Sequence, residues 1–294
     1  MSITKLNRSK RSFFELPRTA RLGVYVPVLC LLLFFGLRRL ETNLTYAPSG
    51  YSPGPEWTPP AGSEDVWLAG ANGLQLHGRF TRARPQPATG TILYCHGNGG
   101  NLTDYQWIAE EYAARGFDVL TFDYRGYGRS GGQITDEWGL YADGDAAYDY
   151  LTRERGVRPE QVAIYGQSLG TSVAADLVGR RHGAALVLEM GLSSASDMAG
   201  VMMPWLPRWL HWLGKNRFES ARKLANIHCP VLITHGAGDT LIPVTQGRAL
   251  YEAAHEPKRL IIVPEAGHNL PDAGGAKYSD SVADFIRDAM RPCR

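Results

Sequence analysis

Three residue types that together cleave acyl bonds occur here in a telling arrangement: Ser168, Asp239 and His268. A hydroxyl is a poor nucleophile until a base takes its proton, and the imidazole that does so needs a carboxylate to orient it. Ser168 sits in Gly166-Gln167-Ser168-Leu169-Gly170, after the apolar run VAIY and before a helical pattern. G-x-S-x-G between strand and helix places a serine on a tight, strained turn with its hydroxyl exposed. The two glycines let strand and helix approach without Cβ clashes. Asp239 closes Thr234-His235-Gly236-Ala237-Gly238-Asp239, just past the run VLIT, and His268 lies in Glu265-Ala266-Gly267-His268-Asn269, just past LIIV. All three lie beyond strand ends, so they can meet on one rim of a sheet. The plainer readings are a helix-capping serine, an Asx-turn aspartate and a surface histidine.

Acyl transfer also needs donors for a developing oxyanion. His96-Gly97-Asn98-Gly99-Gly100-Asn101 follows the run TILYC, where a glycine-rich loop can aim backbone N–H groups at the site. Asn98 is the expected loop donor, with Gly99 its nearest rival, and the N–H of Leu169 is the expected partner. A phosphate cradle is the alternative, but GNGGN lacks the Lys-Ser/Thr of a P-loop. Glu189, at another strand end, rivals Asp239 as the orienting acid. His96 and His235, each followed by glycine, read as loop-geometry residues. His77, His182, His211, His228 and His255 read as surface or packing residues.

The elements that must position these groups alternate. Val66–Ala69 and Leu74–Phe80 flank Gly70-Ala71-Asn72-Gly73 as a hairpin. Thr91–Cys95, Phe117–Phe122, Val162–Tyr165, Ala185–Glu189, Val231–Thr234 and Leu260–Val263 are short apolar runs. Helical stretches are expected near 103–115, 137–153, 168–181, 244–254 and 278–289. The pattern predicts an α/β domain with a mostly parallel sheet covered on both faces and its chemistry at the carboxyl ends of the strands.

HGNGGN, FDYRGYGRSGG, LYADGDAAYDYL, GQSLG, HGAGDTLIPV and EAGHN, in this order and spacing, resemble the α/β-hydrolase-fold serine hydrolases, and in particular their membrane-anchored ABHD-type branch. The resemblance spans roughly residues 64–290. It implies Ser168 as nucleophile, Asp239 and His268 as its partners, and Asn98 with Leu169 as oxyanion donors. It also implies that Asp123, Arg125 and Gly126 shape the site without doing chemistry, and that no metal or organic cofactor is needed. The expected activity is hydrolysis of carboxylic esters or thioesters, with lipid-like acyl substrates favoured. A peptidase of the same fold and a non-catalytic scaffold are the alternatives.

The 294 residues are 44% hydrophobic and 20% charged, which excludes wholesale disorder. Lys5, Arg8, Lys10, Arg11, Arg18 and Arg21 against Glu15 give residues 1–21 a charge of +5, leaving −3 for the remainder of this +2 chain. That balance gives no support to a nucleic-acid partner. Four cysteines, Cys30, Cys95, Cys229 and Cys293, form no CxxC pair. Leu22–Leu37 carries no charge and, at about 24 Å as a helix, is expected to cross a membrane with help from snorkelling arginines. A cleaved signal peptide and a buried helix are its rivals. Six basic residues precede the span and two, Arg38 and Arg39, follow it closely, so the N-terminus is expected in the cytoplasm and the hydrolase domain, 64–294, on the periplasmic, lumenal or extracellular side. Asn43 and Asn101 begin N-x-T triplets. Residues 38–63 are expected to be a Pro/Gly-rich linker. Residues 192–228, which include Met198, Met202, Met203, Trp205, Trp209 and Trp212, are expected to form a small lid; a core-packing helix and a membrane-facing surface are the other readings. The sequence leaves the oligomeric state open.

Overall fold

TILYC is apolar at every position, and a strand alternates its side chains between faces, so such a run needs cover on both sides. The computed structural model, which describes residues 18–291, supplies it. Eight strands form one sheet: β1 (Ser63–Ala69), β2 (Gln75–Thr81), β3 (Gly90–Cys95), β4 (Phe117–Phe122), β5 (Val162–Gln167), β6 (Ala185–Glu189), β7 (Val231–Gly236) and β8 (Lys258–Val263). Their order is β1-β2-β4-β3-β5-β6-β7-β8; β2 is antiparallel to both neighbours and the rest are parallel. Ile92 and Tyr94 of β3 pack with Ile108 and Tyr112 of one helix, α2 (Gln106–Ala113), and with Val282 and Ile286 of another, α7 (Leu270–Ala289). Leu93 and Cys95 point the other way, into a core shared with α3 (Glu137–Asp149) and α4 (Gly170–Arg180). This is the mostly parallel, doubly covered sheet that the alternation predicts. From β3 the chain leaves toward β4 and from β5 toward β6, so the sheet order reverses between β3 and β5. Open α/β sheets place their crevice at such a reversal.

The described residues divide into two units between Leu44 and Thr45. The first holds α1, Arg18–Thr45, within which Leu22–Thr45 is long and apolar enough to cross a bilayer. The helix continues beyond the uncharged run that closes at Leu37 because Arg38, Arg39 and Glu41, which interrupt that run, are good helix formers. Lys5, Arg8, Lys10, Arg11 and Cys293 lie outside the described residues, as do the side chains of Arg18, Arg21 and Trp212.

Residues 46–63 are held on the second unit rather than left as a free spacer. Tyr46 and Trp57 are buried, and Ala47–Pro48 pairs with Gly99–Gly100 as a short parallel ladder. Between β6 and β7 the chain forms α5 (Ala195–Met202), a 3-10 turn at Arg208–Leu213 and α6 (Ser220–Leu224). The core-packing reading fails for two of its tryptophans and a methionine: Trp205, Trp209 and Met202 are 76%, 70% and 68% exposed. Among the described side chains of this stripe, Met198 alone packs on the core.

The base of this insertion is fixed by buried polar contacts. The carboxylate of Glu137, in the first turn of α3, accepts from the N–H of Phe218 at 2.6 Å, the N–H of Arg217 at 3.0 Å and the hydroxyl of Tyr141 at 2.8 Å. Asn216 Oδ1 accepts from the Tyr46 hydroxyl at 2.8 Å and from the N–H of Glu137 at 2.9 Å. Glu137→Ala strands three donors in a buried site, a loss of about 3 kcal/mol if each bond counts near the low end of its usual cost. For a domain of this size the midpoint of thermal unfolding is then expected to fall by roughly 6–12 °C. A shift of under about 2 °C would show that the insertion base does not depend on this carboxylate.

Candidate active site

The turn after β5 carries Ser168 at φ +52°, in the left-handed region where side chains other than glycine's are strained. Its neighbours make that turn possible. A Cβ on Gly166 would stand 2.4 Å from the Gly170 carbonyl oxygen, and one on Gly170 would stand 2.0 Å from that of Cys95. Neither position has room for a side chain, so the elbow closes against β3. The N–H of Ser168 donates to the Glu189 carbonyl at 2.8 Å, tying the turn to β6.

Ser168, His268 and Asp239, predicted from separate motifs, are brought together. His268 Nδ1 lies 2.7 Å from Asp239 Oδ2, and His268 Nε2 lies 3.1 Å from Ser168 Oγ. An ionised carboxylate can only accept, so Nδ1 carries the imidazole proton and Nε2 is left to accept the serine hydroxyl. Asp239 Oδ1 accepts from the N–H groups of Leu241 and Ile242, each at 2.9 Å. Burial works against its charge, but hydrogen bonds from His235, His268 and the Ile242 N–H prevail and hold its carboxyl well below the usual carboxylate range.

Glu189, the rival acid, is engaged elsewhere. It is fully buried at the end of β6, accepting from Tyr165 at 2.5 Å, from Gln167 Nε2 at 2.8 Å and from the Tyr278 hydroxyl. Burial pushes its carboxyl up, against the lowering effect of those donors. Gln167, the residue before the serine, also accepts from Tyr94 at 2.8 Å. The elbow therefore rests on a buried polar network that no local motif announces.

The loop after β3 borders the same cavity, of about 350 Å³, whose walls include Gly97, Asn98, Gly99, Ser168 and His268. Among the described residues no acceptor meets the N–H of Asn98 or of Leu169. The Asn98 side chain is turned to the N–H of Ala47, at 3.0 Å, and its carbonyl accepts from Tyr127 at 2.7 Å. Tyr105 donates to the Gly99 carbonyl at 2.9 Å. Tyr105, Trp107 and Leu241 form the more apolar side of the cavity, and sequence patterning identified none of them because they come from separate elements. Buried His96 contacts the Gly97 carbonyl through Nδ1 at 2.7 Å, and His235 contacts that of Ile242 through Nε2 at 2.7 Å. Asn101 is buried as a helix cap, accepting from the N–H of Thr103 at 3.0 Å, which removes it as a glycan acceptor. Asp123 accepts from the N–H of Leu102 at 2.7 Å, and Arg125 pairs with buried Asp143 at 2.7 Å, so both support loops at this rim.

Comparison with known proteins agrees with this architecture. Residues 86–223 match the family model Hydrolase_4, described as serine aminopeptidase, S33. An uncharacterized protein of Mycobacterium tuberculosis is 35% identical over 250 residues, covering 84% of this chain and 88% of its own. The human alpha/beta hydrolase domain-containing protein 17B is 34% identical over 221 residues, covering 75% of this chain and 74% of its own. The esterase Pf2001 of Pyrococcus furiosus superposes with a TM-score of 0.69 at 20% identity, over 84% of this chain and 98% of that one. With sequence relatives on this scale, and with a sheet and rim arranged as described, the chain belongs to the α/β-hydrolase family.

Proposed function

We propose that this chain is a serine hydrolase that cleaves carboxylic esters or thioesters, with lipid-like acyl groups favoured, and that α1 tethers it to a membrane. The observation that carries the reading is the unbroken hydrogen-bonded series from Ser168 through His268 to Asp239 at the wall of a cavity. His268 takes the serine proton as Oγ attacks the acyl carbonyl, and the tetrahedral oxyanion is met by the N–H groups of Asn98 and Leu169. Collapse of that intermediate expels the alcohol or thiol, protonated by His268, and leaves an acyl-enzyme. Water deprotonated by the same imidazole then releases the acid. Asp239 stays charged throughout and stabilises the imidazolium.

The cavity supports an uncharged substrate. None of the described residues lining it is a carboxylate that would pair with the ammonium group an aminopeptidase substrate presents. Tyr105, Trp107 and Leu241 instead offer aromatic and aliphatic surface to an acyl chain. The charge distribution around α1 favours an N-terminus in the cytoplasm, with the hydrolase unit across the membrane. Protease added to intact cells or spheroplasts is then expected to degrade that unit; full protection would reverse the orientation.

Wild-type protein is expected to take a fluorophosphonate label and to hydrolyse p-nitrophenyl esters, and Ser168→Ala is expected to lose both. Asp239→Asn leaves the imidazole without its proton-fixing partner, and kcat is expected to drop by about 10³–10⁴-fold with KM little changed. Labelling that survives in Ser168→Ala would move the nucleophile elsewhere.

Glu189 gives a pH-dependent test of the support under the elbow. Its carboxyl is raised in the native state, so between the ordinary unfolded value of about 4.3 and the native one the folded chain binds more protons than the unfolded chain. Stability is therefore lost as pH rises through that window. Glu189→Gln lacks this component, and the gap between wild-type and variant unfolding midpoints is expected to change with pH in that sense. Parallel midpoint curves from pH 4 to pH 8 would show that Glu189 titrates alike in both states.

A further inference from the structure

The insertion between β6 and β7 carries an exposed apolar stripe. Val201, Met202, Met203, Trp205, Trp209 and Leu213 are all exposed, and none of them lines the cavity beside Ser168. Its bases are engaged within the domain: Arg208 lies 3.3 Å from Asp197 and Lys215 lies 3.4 Å from Asp136. The stripe is built into the domain: α5 begins with the Ala195 N–H donating to the Arg217 carbonyl at 2.8 Å, and Ser196 Oγ lies 3.1 Å from His211 Nδ1.

The same base holds Tyr46, the residue that follows α1. Its hydroxyl donates to Asn216, and its ring meets Phe218 edge-on with centroids 6.4 Å apart. Asn216 is three residues from Leu213, so at about 3.8 Å per residue the near end of the stripe lies within about 11 Å, Cα to Cα, of the residue that pins Tyr46. The headgroup layer on each side of a bilayer is about 5–7 Å thick, and interfacial elements bury their apolar faces about 5–10 Å deep. These lengths are comparable.

We propose that the Met/Trp stripe of residues 201–213 is a second membrane contact, a seat that inserts into the interfacial layer of the bilayer α1 crosses. Tryptophan suits that layer because its ring is apolar while its N–H stays near water. The seat rests on the reading that α1 is a membrane anchor. It deepens the proposed function by bringing an esterase to acyl groups that already reside in lipid.

The test uses the full chain reconstituted in vesicles of phosphatidylcholine and phosphatidylglycerol, with and without lipids brominated near the headgroup end of the acyl chains. Wild-type tryptophan emission is expected to be quenched by the brominated lipid, and the double variant Trp205→Phe, Trp209→Phe is expected to lose at least half of that quenching. The phenylalanines replace side chains that are mostly exposed, so folding is preserved, and an unchanged thermal midpoint verifies it. Equal quenching in both proteins, with the chain resisting carbonate extraction, would overturn the seat and leave the anchor standing. Release of the chain by carbonate would overturn the anchor and the seat with it. Emission from Trp205 and Trp209 shielded from both brominated lipid and aqueous acrylamide would mean that the stripe is covered by protein, as a closed lid or by a second copy, and would also overturn the proposal.

Discussion

A serine held with positive φ is a local strain that surrounding contacts must impose, because the free chain has little reason to adopt it. Here the imposition comes from three directions. Gly166 and Gly170 allow the strand, the turn and α4 to close to distances that exclude any side chain. The Ser168 N–H is drawn to the β6 carbonyl at Glu189, and its own carbonyl accepts from Thr171 Oγ1 at 2.6 Å. The registers that place Cys95 beside Gly166 and Gln167 beside Glu189 set where β3 and β6 stand relative to the turn. Shift any of these and the hydroxyl no longer points at His268 Nε2. The parallel sheet is thus the clamp on one backbone conformation as well as the scaffold for the site.

How much of this the sequence discloses depends on whether a feature is local. Ser168, Asp239 and His268 were legible because each sits in a short motif at the end of an apolar run, and the runs themselves follow from two-sided burial. The supports were not. Tyr127 and Tyr105 hold the glycine-rich loop through its carbonyls, and Tyr94, Tyr165 and Tyr278 surround Gln167 and Glu189 from different strands and helices. Nothing in the spacing of those tyrosines marks them as partners. The apolar run marks only part of α1, because hydropathy drops at Arg38 while helix propensity does not. Residues 46–63 looked like a spacer because Pro and Gly give no period, yet Tyr46 and Trp57 have found buried sites. The Met/Trp stripe is the converse case. Apolar composition says that a face wants cover, but not whether protein, lipid or substrate supplies it.

Two carboxyls at neighbouring strand ends show why position alone does not assign a role. Asp239 collects N–H donors from Leu241, Ile242 and His268, which favour charge, and is held low. Glu189 collects phenol hydroxyls and an amide at a fully buried position, where burial prevails, and is held high. In the proposed cycle that difference has a chemical consequence. An imidazolium forming at His268 is stabilised by a charged carboxylate on its far side. A negative charge beneath the elbow opposes the oxyanion forming beside Ser168, and burial, by disfavouring charge on Glu189, works against that opposition. Environment therefore divides one functional group into two parts: a charge held firmly where the cycle develops a cation, and, beneath the elbow, a hydrogen-bonded carboxyl whose charge burial disfavours.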